Sequence, residues 1–215
     1  MEFLSWAVDF VLHLDDHLAD IIAQYGTWTY LILFLIILAE TGFVGTPFLP
    51  GDSLLFAVGT FAGMGVLDPW LLFVLLSIAA IAGDTINYWV GRWVGPRAFS
   101  GSIPWLRRDY LDKTQAFYER HGGKTIVLAR FVPIVRTFAP FVAGVGRMNY
   151  GRFLAYNIGG GIFWVGSLVG AGTLFGNIPW VRDNFGSVVL AIIVISVLPI
   201  LVEFLKARRE KQTSE

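Results

Sequence analysis

The chain has 215 residues, 55% of them hydrophobic and only 15% charged, with a mean hydropathy of +0.64. That is too apolar for a soluble domain of this size and places the chain among polytopic membrane proteins. Sixteen basic against sixteen acidic residues leave no net charge to favour nucleic acid, and the absence of cysteine excludes disulfides and thiolate metal sites.

Residues 1–27 carry five acids and no Lys or Arg, so they do not read as a cleaved signal peptide. Phe3, Ala7, Phe10, Leu14, Leu18 and Ile21 follow helical spacing, with Asp9, His13, Asp16 and Asp20 as the opposing stripe. The segment is expected to be an amphipathic helix at a membrane surface or against the protein, too charged to span. His13 and His17 stand one turn apart near Asp9 and Asp16, but two imidazoles on a solvated face do not make a metal site.

Residues 28–95 form the first of two similar units. Trp28–Ala39 is an apolar run of 12 residues closed by Glu40, short for a span and fitting one arm of a re-entrant hairpin. Gly45, Pro47, Pro50 and Gly51 break the chain, Asp52 follows them, and Ser53–Met64 is the returning arm. Pro69–Val90 is a full span carrying Asp84, eight residues before Arg92. At 1.5 Å per residue that sets Asp84 about 12 Å deep. Residues 96–124 are a polar connection in which Tyr110–His121 has a helical pattern and Gly122-Gly123 a stop.

Residues 125–176 repeat the order. Thr125–Gly146 is a second broken hairpin containing Arg130, Pro133, Arg136 and Pro140, and Phe153–Phe175 is a span. Each arginine would cost about 2.5–3.5 kcal/mol in lipid, and each proline lacks an N–H, so a simple spanning helix is not expected there. Broken backbone at membrane depth survives only inside protein or along a wet cavity. Residues 177–215 add a last span, Phe185–Leu205, and a basic tail. Phe48-Leu49-Pro50 matches Phe131-Val132-Pro133 at an offset of 83, and each span ends in a spaced glycine pair, Gly91/Gly95 and Gly172/Gly176. Those pairs, and Gly159-Gly160-Gly161, suit close helix contact; Trp93, Trp105 and Trp180 suit interfacial belts.

Charge sets the orientation. Residues 92–124 hold seven bases against three acids, and Arg147, Arg152, Lys206, Arg208, Arg209 and Lys211 flank later segments. The positive-inside rule puts the central loop and the C-terminus in the cytoplasm. The first hairpin then enters from outside and the second from inside. The expected fold is therefore all-α, with two oppositely oriented re-entrant hairpins as an inverted repeat, plus transmembrane helices.

Glu40 and Asp52 sit where ionisation is costly, so each must pair with a cation or take up a proton. They read as proton-coupling acids or counter-ions for the arginines; the competing reading is an ion pair that pins the hairpin tips. Arg130 and Arg136 suit a lipid phosphate, because guanidinium stays charged when buried and matches phosphate oxygens bidentately. The competing reading is neutralisation of Glu40 or Asp52. Asp84 and Tyr88, one turn apart, line a path or serve packing through a hydrogen bond. Arg147 and Arg152 read as charges that set topology. No nucleophile–base constellation, phosphate-cradling loop or HExxH pattern is present, so an enzyme is not expected.

Glu40-Thr41-Gly42, Phe48-Leu49-Pro50-Gly51-Asp52-Ser53, Gly83-Asp84 with Tyr88 and Gly91-Arg92, and Arg130-Phe131-Val132-Pro133-Ile134-Val135-Arg136-Thr137 are specific strings. In them, and over nearly its whole length, the chain resembles the DedA family of bacterial inner-membrane proteins, which carry the VTT or SNARE-associated domain. The resemblance implies two hairpins pointing at each other and lipid translocation linked to the proton motive force, with undecaprenyl phosphate or phospholipid as cargo. It also implies functional roles for Glu40, Asp52, Arg130 and Arg136. The expected activity is movement of a phosphate-headed lipid, undecaprenyl phosphate first, with protons and the lipid as partners and no cofactor. A homo-oligomer is compatible with it. A proton/cation antiporter, a general phospholipid scramblase and a non-transporting membrane scaffold are the rivals.

Overall fold

A computed structural model describes residues 14–43, 51–98, 122–130, 133–176, 178–184, 187–188 and 190–191. The described residues hold eight helices and no strand: α1 Leu14–Tyr25, α2 Trp28–Gly42, α3 Gly51–Gly63, α4 Pro69–Ala98, α5 Lys124–Ala129, α6 Pro133–Val145, α7 Tyr150–Phe175 and α8 Pro179–Asp183. Several expectations lie outside the described residues. These are the first half of the N-terminal helix with His13, the breakers Gly45, Pro47 and Pro50, the Tyr110–His121 helix, Trp105, and most of the Phe185–Leu205 span with its basic tail.

Among the described residues two helices are long and apolar enough to cross a bilayer, α4 over Pro69–Gly95 and α7 over Tyr150–Phe175. Each begins at a polar cap. The Asp68 carboxylate accepts from the Leu71 N–H at 2.7 Å ahead of Pro69, and the Asn149 side chain accepts from the Arg152 N–H at 3.1 Å. These caps satisfy donors that the first helical turn leaves open. The first span is longer than the expected Pro69–Val90, because Gly91 and Gly95 keep the helix going by packing on α6. Outward rows of apolar residues, among them Trp70, Val74, Ile78 and Ile86 on α4 and Ile158, Ile162 and Phe163 on α7, stay exposed, as lipid-facing sides do.

Named contacts fix the helix directions. The spans α4 and α7 run opposite ways, with Tyr88 stacked on Phe153 and Phe73 beside Gly166. Helix α2 follows α4: the Asp68 N–H donates to the Tyr30 hydroxyl near the start of both, and Gly42 meets Gly83 further along. Helix α6 also follows α4, from Thr137 beside Asn87 to Val145 beside Gly95. Helices α3 and α5 follow α7 instead, through Asp52 at Trp164, Thr60 at Gly172, and Gly123 at Tyr156. So α2 and α3 are antiparallel, as are α5 and α6, and each pair straddles both spans.

The two pairs pack reciprocally. Gly59 and Gly172 let α3 and α7 touch backbone to backbone; Gly91 and Gly144 do the same for α6 and α4. A Cβ at Gly91 would overlap the Phe141 carbonyl, and one at Gly172 the Phe56 carbonyl. Structural equivalence therefore runs Phe56/Phe141 and Gly59/Gly144, an offset of 85 rather than 83 on these arms, against 81 on the spans. The arms slip because the glycine that must meet the opposite span sets the match. Lipid gives helices no hydrophobic reason to associate, so this close approach supplies much of the cohesion.

Pro140 does not end its helix. It is buried within α6, where its missing N–H releases the carbonyl of Arg136. Pro133 starts the same helix, a position where no N–H is needed. Helix α1 leans on the bundle through Ile22, Asp20 stays exposed, and Gly26 turns the chain into α2 with φ +52°.

Candidate functional site

The ends of the four short arms converge at mid-span. Glu40 lies near the end of α2, Asp52 near the start of α3, Arg130 just past α5 and Arg136 in the first turns of α6. Asp84 and Trp164 meet them from the middles of α4 and α7. All six side chains are nearly sealed except Asp52, which keeps 21% of its surface.

Arg136 is the hub. Its Nη1 donates to Asp52 Oδ1 at 2.8 Å and its Nη2 donates to Glu40 Oε1, so one guanidinium ties the end of α2 and the start of α3 to the start of α6. Gly51 is required beside it, because a Cβ there would occupy the position of the Glu40 carboxylate. The indole of Trp164 lies 4.9 Å from the Arg136 guanidinium, and its Nε1 donates to the same Asp52 Oδ1 at 2.9 Å. A desolvated guanidinium over an indole gains on the order of 2 kcal/mol.

Arg130 makes a second pair. Its Nη2 donates to Asp84 Oδ2 at 2.5 Å and to Asn157 Oδ1 at 2.6 Å. Asn157 in turn donates to the Ile81 carbonyl at 3.0 Å, so Arg130 is stitched to both spans. Gly160 and Gly161 leave room for its side chain, which explains two of the three consecutive glycines; Gly159 faces open space. Arg130 Nε and Nη1 find no hydrogen-bond partner among the described residues, although only 2% of the residue is exposed.

The sequence therefore picked out four charges that do meet, but not how they pair. Arg136 neutralises both Glu40 and Asp52, whereas the carboxylate of Arg130 is Asp84. Asp84 and Tyr88 do not share one role. Tyr88 donates to the Met148 carbonyl and stacks on Phe153 at 4.5 Å, inside an aromatic cluster with Trp89 and Tyr150. Arg147 and Arg152 are exposed, and Arg147 takes φ 52° just after α6. Trp164 and Asn157 went unnoticed. Asn157 answers to the rule that flagged Asp84, a polar side chain inside an apolar span. Trp164 stands at mid-span rather than in an interfacial belt, which was the available signal.

Three carboxylates, Glu40, Asp52 and Asp84, face two guanidiniums in this cluster. With all five ionised it carries one excess negative charge, which low-dielectric surroundings tolerate poorly. Among the described residues no group of His, Cys, Asp and Glu is arranged to hold a metal ion.

The VTT domain family matches residues 49–174, a stretch that holds Asp52, Asp84 and both buried arginines. Over 212 residues the chain is 53% identical to the Protein DedA of Escherichia coli K12, covering 97% of each. It is 42% identical over 169 residues to an uncharacterized membrane protein of Mycobacterium leprae, covering 78% of this chain and 76% of that one. With the inner membrane protein YqjA of Escherichia coli it shares 34% over 151 residues, 70% and 69% of the two chains. No solved structure matches the chain.

Proposed function

For a chain that belongs to the DedA family of VTT-domain membrane proteins, we propose a transporter that carries a phosphate-headed lipid between leaflets, with undecaprenyl phosphate as the leading cargo. The observation that carries this reading is Arg136, held at mid-span between Glu40 and Asp52 where two hairpin tips meet. A phosphate presents two oxygens that one guanidinium fork can hold at once, so Arg136 can exchange its two carboxylate partners for one phosphate. The partial exposure of Asp52 supports approach of a headgroup to the hub from that side.

Protons enter through charge. A phosphate on Arg136 adds negative charge to a cluster that already has one excess carboxylate. Glu40 and Asp52 must then take up protons as they let go of the guanidinium, and release them when the phosphate leaves. Binding and proton uptake are thus coupled by electrostatics alone. The two unpartnered donors of Arg130 support a further oxygen contact deeper in the cluster. The antiparallel pairs and their reciprocal packing support two re-entrant hairpins of an inverted repeat, with the site at the midplane. A hydrocarbon tail stays in the bilayer while the head crosses, so no wide channel is needed.

The same carboxylates support a second reading, a proton/cation antiporter in which the arginines tune the acids. Purified protein in liposomes separates the readings. Inversion of a phosphate-headed lipid supports ours, cation-dependent pH change without inversion supports antiport, and neither leaves a scaffold.

A further inference from the structure

Asn87 belongs to none of the charge pairs, yet it touches the backbone of both hairpins. It is fully buried on α4, one turn beyond Gly83, where α2 packs so closely that a Cβ would collide with Thr41. Its Nδ2 donates to the Thr137 carbonyl at 2.9 Å and to the Thr41 carbonyl at 3.5 Å. Thr41 directly follows Glu40, and Thr137 directly follows Arg136. One amide group therefore bridges the two peptide units adjoining the Glu40–Arg136 ion pair.

The two carbonyls lie where each helix is locally irregular. Thr41 lies in the last turn of α2. Thr137 lies three residues before Pro140, in the turn that the proline ring crowds. Two acceptors on one side of Asn87 fix its amide orientation, since the flipped rotamer would set oxygen against oxygen. The same orientation leaves Asn87 Oδ1 buried without a hydrogen-bond partner among the described residues. Burying an acceptor without a partner costs stability, a loss that a leucine of the same branching would not incur. The amide is poorly suited to stability alone and well suited to register.

We infer that Asn87 is a positioning residue, a clamp from the first span that holds the ends of α2 and α6 in register and so keeps Glu40 within reach of Arg136. The inference bears on the site of the proposed transporter, but the clamp is a statement about geometry and is tested without transport.

The chain has no cysteine, so spin labels go only where cysteines are introduced. One pair of labels, at Leu35 on α2 and Arg147 beyond α6, reads the clamped contact; both residues are exposed. A control pair, at Val66 after α3 and Leu174 on α7, reads a contact that Asn87 does not touch; these too are exposed. Pulsed electron–electron resonance on the full chain in nanodiscs should give a narrow Leu35–Arg147 distance. In Asn87→Leu that distribution should broaden or split, while Val66–Leu174 stays as it was. Asn87→Ala carries the same expectation should the leucine variant fail to fold. An unchanged Leu35–Arg147 distribution overturns the clamp, and so does equal broadening of both pairs, which is general loosening. Broadening of the first pair alone, in a protein that inverts no lipid, keeps the clamp and removes the transport reading.

Discussion

At the scale of single residues, the burial of each charge decides what its loss should cost. Asp84 and Arg130 are both sealed, with 4% and 2% of their side chains exposed, so Asp84→Asn leaves a buried guanidinium uncompensated. Removing one partner of such a pair costs about 3–5 kcal/mol, and thermal unfolding in detergent should show it. Asp52→Asn should cost far less stability, because Asp52 reaches solvent and Arg136 retains Glu40. Transport should rank the variants the other way, with Glu40→Gln and Asp52→Asn folded but inactive. Full turnover from both would make these carboxylates structural. Arg136→Lys keeps the charge and loses the planar fork, so lipid turnover should fall at least about tenfold. Arg136→Ala should not be rescued by Asp52→Ala, since Glu40 then remains without its cation. These charges were legible because an ion in an apolar run stands out, whatever the fold. Their pairing was not: Arg130 and Asp84 are 46 positions apart, and only the packing of α5 along α7, against which α4 also lies, brings them together.

At the scale of elements, the glycines carry the clearest expectation. Gly91→Val and Gly172→Val push a Cβ into a backbone carbonyl of the opposing arm, and backbone cannot step aside as a side chain can. Each should destabilise by about 2–4 kcal/mol or prevent folding, read as a lowered melting temperature. Gly170→Ala, which meets nothing within 4 Å, should be neutral or stabilising by up to about 1 kcal/mol. Wild-type melting of the valine variants would refute backbone contact at these crossings. The spaced glycine pairs announced close approach, and composition alone announced all-helical membrane segments. The true match between the arms was hidden, because Phe48-Leu49-Pro50 and Phe131-Val132-Pro133 drew attention to the turns. The glycines that set the alignment lie further along. Pro140 is one reason against a simple span here, and the stretch is indeed two short helices; within the second, packed against Tyr88, Gly91 and Asn87 of α4, the helix continues past the proline.

At the scale of the whole molecule, the proposed inverted repeat of two re-entrant hairpins requires a definite topology. A single cysteine at Asp68 should react with an impermeant reagent from the periplasm, and one in the Gly101–Lys124 loop only from the cytoplasm. Labelling of Asp68 solely after the inner membrane is opened would reverse the arrangement. The expectation rests on the repeat and the positive-inside pattern; which arm packs on which span was not legible, because both spans look alike in hydropathy. The central claim is that a phosphate-bearing headgroup crosses at Arg136 in exchange with protonating carboxylates. The most direct test is inversion of undecaprenyl phosphate against phosphatidylethanolamine in proteoliposomes, with and without an imposed pH gradient. The account predicts faster inversion of undecaprenyl phosphate, driven by the gradient and lost when it is collapsed. Equal inversion of both lipids, indifferent to the gradient, would contradict it.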